Sequence, residues 1–170
     1  MTAIRRVLES ISGKNYEGLY PQLEEILEQP LLATFTEAGH MSIEEGITCL
    51  SELLYNQNDI SMRMWNFYGI IIDLIVNNRG ILDEYTHNVC VPLINFMSKN
   101  PEQFRNANFG NQSALDMMFS LIGRIFETAK LKQDEIEAMC AITLIMSMLE
   151  NVQGIESSIH NIIEFLIKEL

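Results

Sequence analysis

Few side chains in this sequence stand at spacings that could do chemistry. His87 and Cys90, in His-Asn-Val-Cys, would put an imidazole and a thiol on one face of a helix, a spacing a metal could use. No second Cys or His lies close by in sequence, and zinc takes a complete tetrahedral ligand set, so helix packing is the better reading of the pair. His40 falls in a loop before Ser42, and His160 on the polar side of the last helical pattern. Neither has a nucleophile or a carboxylate at motif spacing. Glu24, Glu25 and Glu28 could work as paired carboxylates only inside a concave pocket; on an exposed helix they form a charged face. There is no phosphate-cradling P-loop, no dinucleotide fingerprint and no HExxH. No catalytic residue, metal ligand or cofactor site is expected, and binding is the better class of function.

The bulk composition narrows the partners. The chain has 170 residues, 48% of them hydrophobic, enough for a sizeable core and too many for disorder. Its formal net charge of -12 argues against nucleic acid, because phosphate recognition needs clustered Lys and Arg. Between Asn15 and Met62 there is no Lys or Arg, while Glu17, Glu24, Glu25, Glu28, Glu37, Glu44, Glu45, Glu52 and Asp59 all fall there. Such a stretch is either a solvated acidic face or a surface for a basic protein partner. Three cysteines without short spacing (Cys49, Cys90, Cys140) predict buried, reduced thiols in a soluble intracellular protein. The N-terminus lacks a signal-type apolar core. The most apolar run, Met64 to Val76, is too short to span a bilayer, so no membrane partner is expected.

The elements that would position these residues are helices. Apolar positions recur at helical spacing in about eight segments, and no strand stands out. Segments opening at Ser42, Ile81 and Gln133 repeat at a period of about 40 residues, as stacked pairs of helices do. The predicted fold is therefore all-α: a HEAT-repeat solenoid of about four antiparallel helix pairs, with repeats near 1–40, 41–80, 81–131 and 132–170 of a single segment. The first pair spans Thr2 to Ser12 and Tyr16 to about Thr36, with Pro30 expected to kink or end the second helix. Ser42-x-x-Glu45 reads as a capping box. The helix from Ser61 to about Asn78 is apolar nearly all round, hence sandwiched between neighbours, and Gly80 is read as its stop. A helix from Leu82 to Ser98 contains Pro92, and a polar, breaker-rich connection fills Asn100 to Asn111. Helices then run from Gln112 to Lys130, Gln133 to Asn151 and Ile155 to Leu170. The last has the stripe Ile155, Ile159, Ile162, Ile163, Leu166, Ile167, Leu170. A stripe with no polar capping repeat after it predicts a fragment of a longer superhelix. Met64, Met97, Met118 and Met139 fall on apolar stripes and read as core, as does Trp65 at an inter-helix contact.

Residues 44–75 carry a more specific pattern. A helix ending in Leu-Leu-Tyr is followed by a short loop, then by Ile60-Ser61 and Met64-Trp65 opening the next helix; Glu84, Tyr85, Pro92 and Leu93 follow downstream. This resembles the C-terminal half of the importin-beta (karyopherin) superfamily, its importin seven/eight branch in particular. The similarity spans essentially the whole chain and is weakest from Gln103 to Gly110. The resemblance implies a nuclear transport receptor that shuttles between cytoplasm and nucleus. Such a receptor carries basic cargo such as ribosomal proteins or histones, holds nucleoporin phenylalanine-glycine repeats on its outer side, and answers to the Ran GTPase through the parent protein. In the superfamily layout the second helix of each pair lines the concave face, which makes Glu24, Glu28, Asn66, Asp73, Asp116 and Glu164 the candidate cargo-facing residues. The seam between the Ser42 and Leu82 helices would take a phenylalanine side chain. The rival reading is a HEAT-type protein–protein scaffold unrelated to transport.

Overall fold

The computed structural model describes residues 2–12 and 18–169. The predicted helix start at Tyr16 and the terminal Leu170 lie outside them, as do the side chains of Leu82 and Leu166. Among the described residues the chain forms nine α-helices: α1 (Thr2–Ile11), α2 (Leu19–Thr34), α3 (Ile43–Tyr55), α4 (Met62–Asn77), α5 (Arg79–Lys99), α6 (Pro101–Asn106), α7 (Ala114–Lys132), α8 (Glu135–Asn151) and α9 (Glu156–Glu169). A 3-10 turn, Glu37–Ser42, precedes α3, and a two-residue hairpin of β1 (Asn108–Phe109) and β2 (Gln112–Ser113) precedes α7.

The helices sort into two rows by what they touch. In one, α1 packs on α3, α3 on α5, and α5 on α8; in the other, α2 packs on α4 and α4 on α7. Contacts between α2 and α3, α4 and α5, and α7 and α8 join the rows. The fold is all-α, as the sequence predicts. The almost wholly apolar α4 is sandwiched for the expected reason: it buries Met64, Trp65, Phe67, Tyr68, Ile71, Ile72 and Ile75 against α2, α5 and α7.

An aromatic cluster holds the centre. The Trp65 ring lies 5.0 Å from Phe96 and 6.0 Å from Tyr68, and Tyr68 meets Phe96, Phe104 and Phe109 at 5.4, 5.7 and 5.3 Å. The buried Tyr68 hydroxyl donates to the Ala114 carbonyl at 2.6 Å, tying α4 to the start of α7.

Several local expectations are corrected. Ser42 makes no side-chain cap; the 3-10 turn already feeds the helix, and the Ile43 N–H bonds the His40 carbonyl. Pro30 does not end α2, which continues to Thr34. The carbonyl that Pro30 leaves unbonded belongs to Ile26, on the solvent side, where water can satisfy it. Gly80 is not the stop of α4 but lies in the first turn of α5. Asn78 closes α4 and caps α5, its side chain accepting from the Ile81 N–H at 3.3 Å.

The connection from Asn100 to Asn111 is ordered by α6 and the hairpin. Asn100 caps α6, Pro101 opens it, and Phe104 is fully buried. Met139, expected in the core, is 56% exposed. It stands with Ile136, Ile142, Met146 and Leu149 on one side of α8, while Cys140, Ala141, Leu144, Ile145 and Met148 fill the other.

Gly69 matters because Phe109 of the hairpin lies against it. A Cβ there would stand 2.7 Å from the Phe109 ring. Gly69→Ala gains about 1 kcal/mol of helix propensity and meets an overpacking cost of about 1–3 kcal/mol. The expected result is a net loss of up to about 2 kcal/mol in urea unfolding, with the hairpin cleaved faster by protease.

Candidate functional site

The acidic residues of α2, α4 and α7 divide into two groups by geometry. In α2 the buried arc is Tyr20, Glu24, Leu27 and Leu31, one face at helical spacing. Glu24 is therefore inside, 3% exposed, and accepts a hydrogen bond from the Ser61 hydroxyl at 2.6 Å. Its other carboxyl oxygen is buried with no hydrogen-bond partner in the protein. Glu28, one turn on, is half-buried and pairs with the Arg63 guanidinium at 2.9 Å. Both face the α2–α4 seam, so the reading of Glu24, Glu25 and Glu28 as one exposed charged face holds only for Glu25.

The outward face of this row is formed by Gln22, Glu25 and Gln29 of α2, Asn66, Asp73 and Asn77 of α4, and Asp116, Ser120 and Glu127 of α7, all exposed. Asp73 accepts from Asn77 at 2.6 Å, and Glu127 pairs with Arg124 at 3.0 Å. Asp116 accepts from the Ser113 hydroxyl at 2.7 Å while Ser113 caps α7. Of the candidate residues, Asn66, Asp73 and Asp116 share this outward face. Glu164 is exposed on α9, with His160 at 3.4 Å. Glu25 and Glu127 complete the face and were not among the cargo-facing residues expected from the sequence. The signal for them was available: each lies on the helix side opposite the apolar stripe.

The seam between α3 and α5 is packed directly. Asn95 donates to the Ser51 carbonyl at 3.4 Å, and the Lys99 ammonium stands 5.5 Å from the Tyr55 ring centre. His40 sits at one end of it, 3.7 Å from Glu84 and edge-on to Tyr85.

A second cluster lies between α5 and α8. His87 Nδ1 stands 3.7 Å from the Cys140 thiol, and the Cys90 thiol donates to the Thr86 carbonyl at 3.4 Å. The companion that His87 and Cys90 lack in sequence thus comes from another helix. Among the described residues, no three His, Cys, Asp or Glu are grouped so as to hold a metal ion. Lys132 joins the same two helices, 2.9 Å from Glu137 and 3.2 Å from Asp83; its hydrogen bond to Glu137 is the main cause of its raised pKa. Among the described residues no helix is long and apolar enough to cross a membrane.

No family model, no curated protein and no solved structure matches this chain.

Proposed function

We infer that the chain is a HEAT-type solenoid segment of a nuclear transport receptor, binding basic protein cargo across the outward face of α2, α4 and α7. The observation that carries the reading is the acidic face itself: Glu25, Asp73, Asp116 and Glu127 lie exposed on three helices packed side by side. The resemblance at Ile60, Ser61, Met64 and Trp65 supports the transport class. The two-row stacking of helices supports the solenoid. So does the apolar side of α8, since in the same row α3 is covered by α5 and α5 by α8. Cargo contact through this face is electrostatic and therefore salt-sensitive. Nucleoporin phenylalanine-glycine repeats are the other partner of this reading, and Ran acts through the parent receptor.

The test is binding of a lysine-rich histone-tail peptide across a salt series, with a phenylalanine-glycine repeat peptide alongside. Changing Glu25 and Glu127 to Gln and Asp73 and Asp116 to Asn should weaken basic-peptide binding by about fourfold or more, at ~0.2–1 kcal/mol per exposed pair. Binding indifferent to salt and to the four changes, or no binding, rejects this face as a cargo surface.

A further inference from the structure

Among the described residues, α8 has one side that no other helix covers. Ile136, Met139, Ile142, Met146 and Leu149, spaced three or four positions apart, are between 41% and 70% exposed there, while the opposite side packs on α5 and α7. The stripe runs about 20 Å along the helix, with no Pro or Gly to interrupt it. Contiguous exposed apolar side chains of this kind mark an interaction surface. The period sets the shape of the partner: apolar residues every three or four positions interlock with those of another helix, and the period of two in a strand does not match them. The row repeats the arrangement twice already, with α5 laid on α3 and α8 on α5.

Charge says which helix. Glu135 opens the stripe and Glu150 closes it, both exposed, and Thr143 is the neutral polar residue between them. No Lys or Arg occurs in the sequence between Lys132 and Lys168, whereas Asp134, Glu135, Glu150, Glu156 and Glu164 do. The Lys132 ammonium is held by Asp83 and Glu137, and the Arg105 guanidinium stands beyond the end of α8, beside Gly154. The carbonyl end of α8 adds partial negative charge next to Glu150.

We propose that this side of α8 docks an amphipathic helix of another protein, apolar along one stripe and edged with Lys and Arg. Met139 and Met146 are unbranched and adjust to apolar residues of different shapes, so the surface selects a stripe and its charged edges, not one sequence. Other occupants fit less well. A second α8 laid antiparallel on the first sets Glu135 against Glu150 at both ends. The α1 helix of a second copy brings Arg6, but Val7 is its one exposed large apolar residue among those described, against five on α8. An anionic membrane is repelled by the same carboxylates. The surface belongs to the other row from the acidic face of α2, α4 and α7, and does not depend on cargo binding there.

The test is fluorescence anisotropy of a labelled helical peptide of about 18 residues, with Leu at heptad positions a and d and Lys at e and g, titrated with the whole chain. A peptide with the same Leu stripe and Glu at e and g is the control. The expected result is saturable binding of the Lys peptide, about tenfold tighter or more than the Glu peptide. Met139→Asp together with Met146→Asp should abolish it without changing the circular dichroism spectrum, because both side chains are exposed. Glu135→Gln together with Glu150→Gln should weaken it about threefold and reduce its salt dependence. The four neutralising changes on α2, α4 and α7 should leave it as it is, and the changes at Met139 and Met146 should leave histone-tail binding as it is, so the two surfaces are read separately. No binding of the Lys peptide, equal affinity for both peptides, or binding untouched by the changes at Met139 and Met146 would overturn the proposal. So would sedimentation as a dimer that those two changes return to monomer, since a second copy would then be the occupant.

Discussion

Trp65→Ala is expected to cost about 3–5 kcal/mol of folding stability. The indole is 1% exposed and lies against Phe96 and Tyr68, at the point where α4 meets α5. Truncation removes the largest side chain of the core and leaves a void beside Phe96 and Tyr68, and the Tyr68 ring cannot collapse into it without leaving its other partners, Phe104 and Phe109. Against a total stability of about 5–15 kcal/mol for a domain, the loss is a large fraction of the whole. Trp65→Phe keeps a ring in the site and removes an indole N–H that is buried with no partner in the protein, so it should cost less than half as much. Urea unfolding followed by circular dichroism measures both, since the only tryptophan is the residue being replaced. A Trp65→Ala loss below about 1 kcal/mol would mean that the aromatic cluster does not hold the two rows together.

The long helices were legible because each carries apolar residues at a period of about 3.6 that a packed helix must bury. What that period cannot say is how many sides of a helix are covered. In α4 the surplus apolar side meets α2 and α7; in α8 the surplus side, Ile136 to Leu149, faces outward, and nothing in the two sequences separates the cases. The hidden part of the polar connection had a weaker signal. Phe104 and Phe109 are the only large apolar residues in it; one is buried under α6 and the other lies over Gly69 and Tyr68. A helix of six residues is too short to show a period, so composition wins and the segment reads as loop.

The site was legible only where it depends on one helix at a time. Asn66, Asp73 and Asp116 fall on outward faces because each is opposite its own stripe. Glu24 shows how this fails: it sits within the arc Tyr20, Leu27, Leu31, and its charge outweighed its position in the reading. The meeting of His87 with Cys140, 53 residues apart, depends on which helices become neighbours, and no spacing rule reaches that.

Ser61→Ala should cost about 2–4 kcal/mol, far more than a hydroxyl at a helix end usually carries. The Ser61 oxygen does two things at once: it accepts from the Met64 N–H at 3.2 Å to cap α4, and its proton goes to Glu24 at 2.6 Å. Loss of the cap accounts for about 1 kcal/mol. The remainder comes from Glu24, whose one hydrogen-bonded oxygen would join the other in having no protein partner inside the α2–α4 seam. Glu24→Gln keeps an acceptor for Ser61 and should cost little. Glu24→Leu added to Ser61→Ala should cost less than the two single changes summed, by about 1 kcal/mol or more in a double-mutant cycle. Additivity within about 0.5 kcal/mol would show that the contact holds nothing. The outcome bears on function as well as on stability. Ile60 is 5% exposed, Met64 and Trp65 are buried, and Ser61 caps and anchors, so every residue of the run that resembles a transport receptor works in folding. On the proposed reading, basic cargo would meet the exposed acidic residues of α2, α4 and α7: Glu25, Asp73, Asp116 and Glu127.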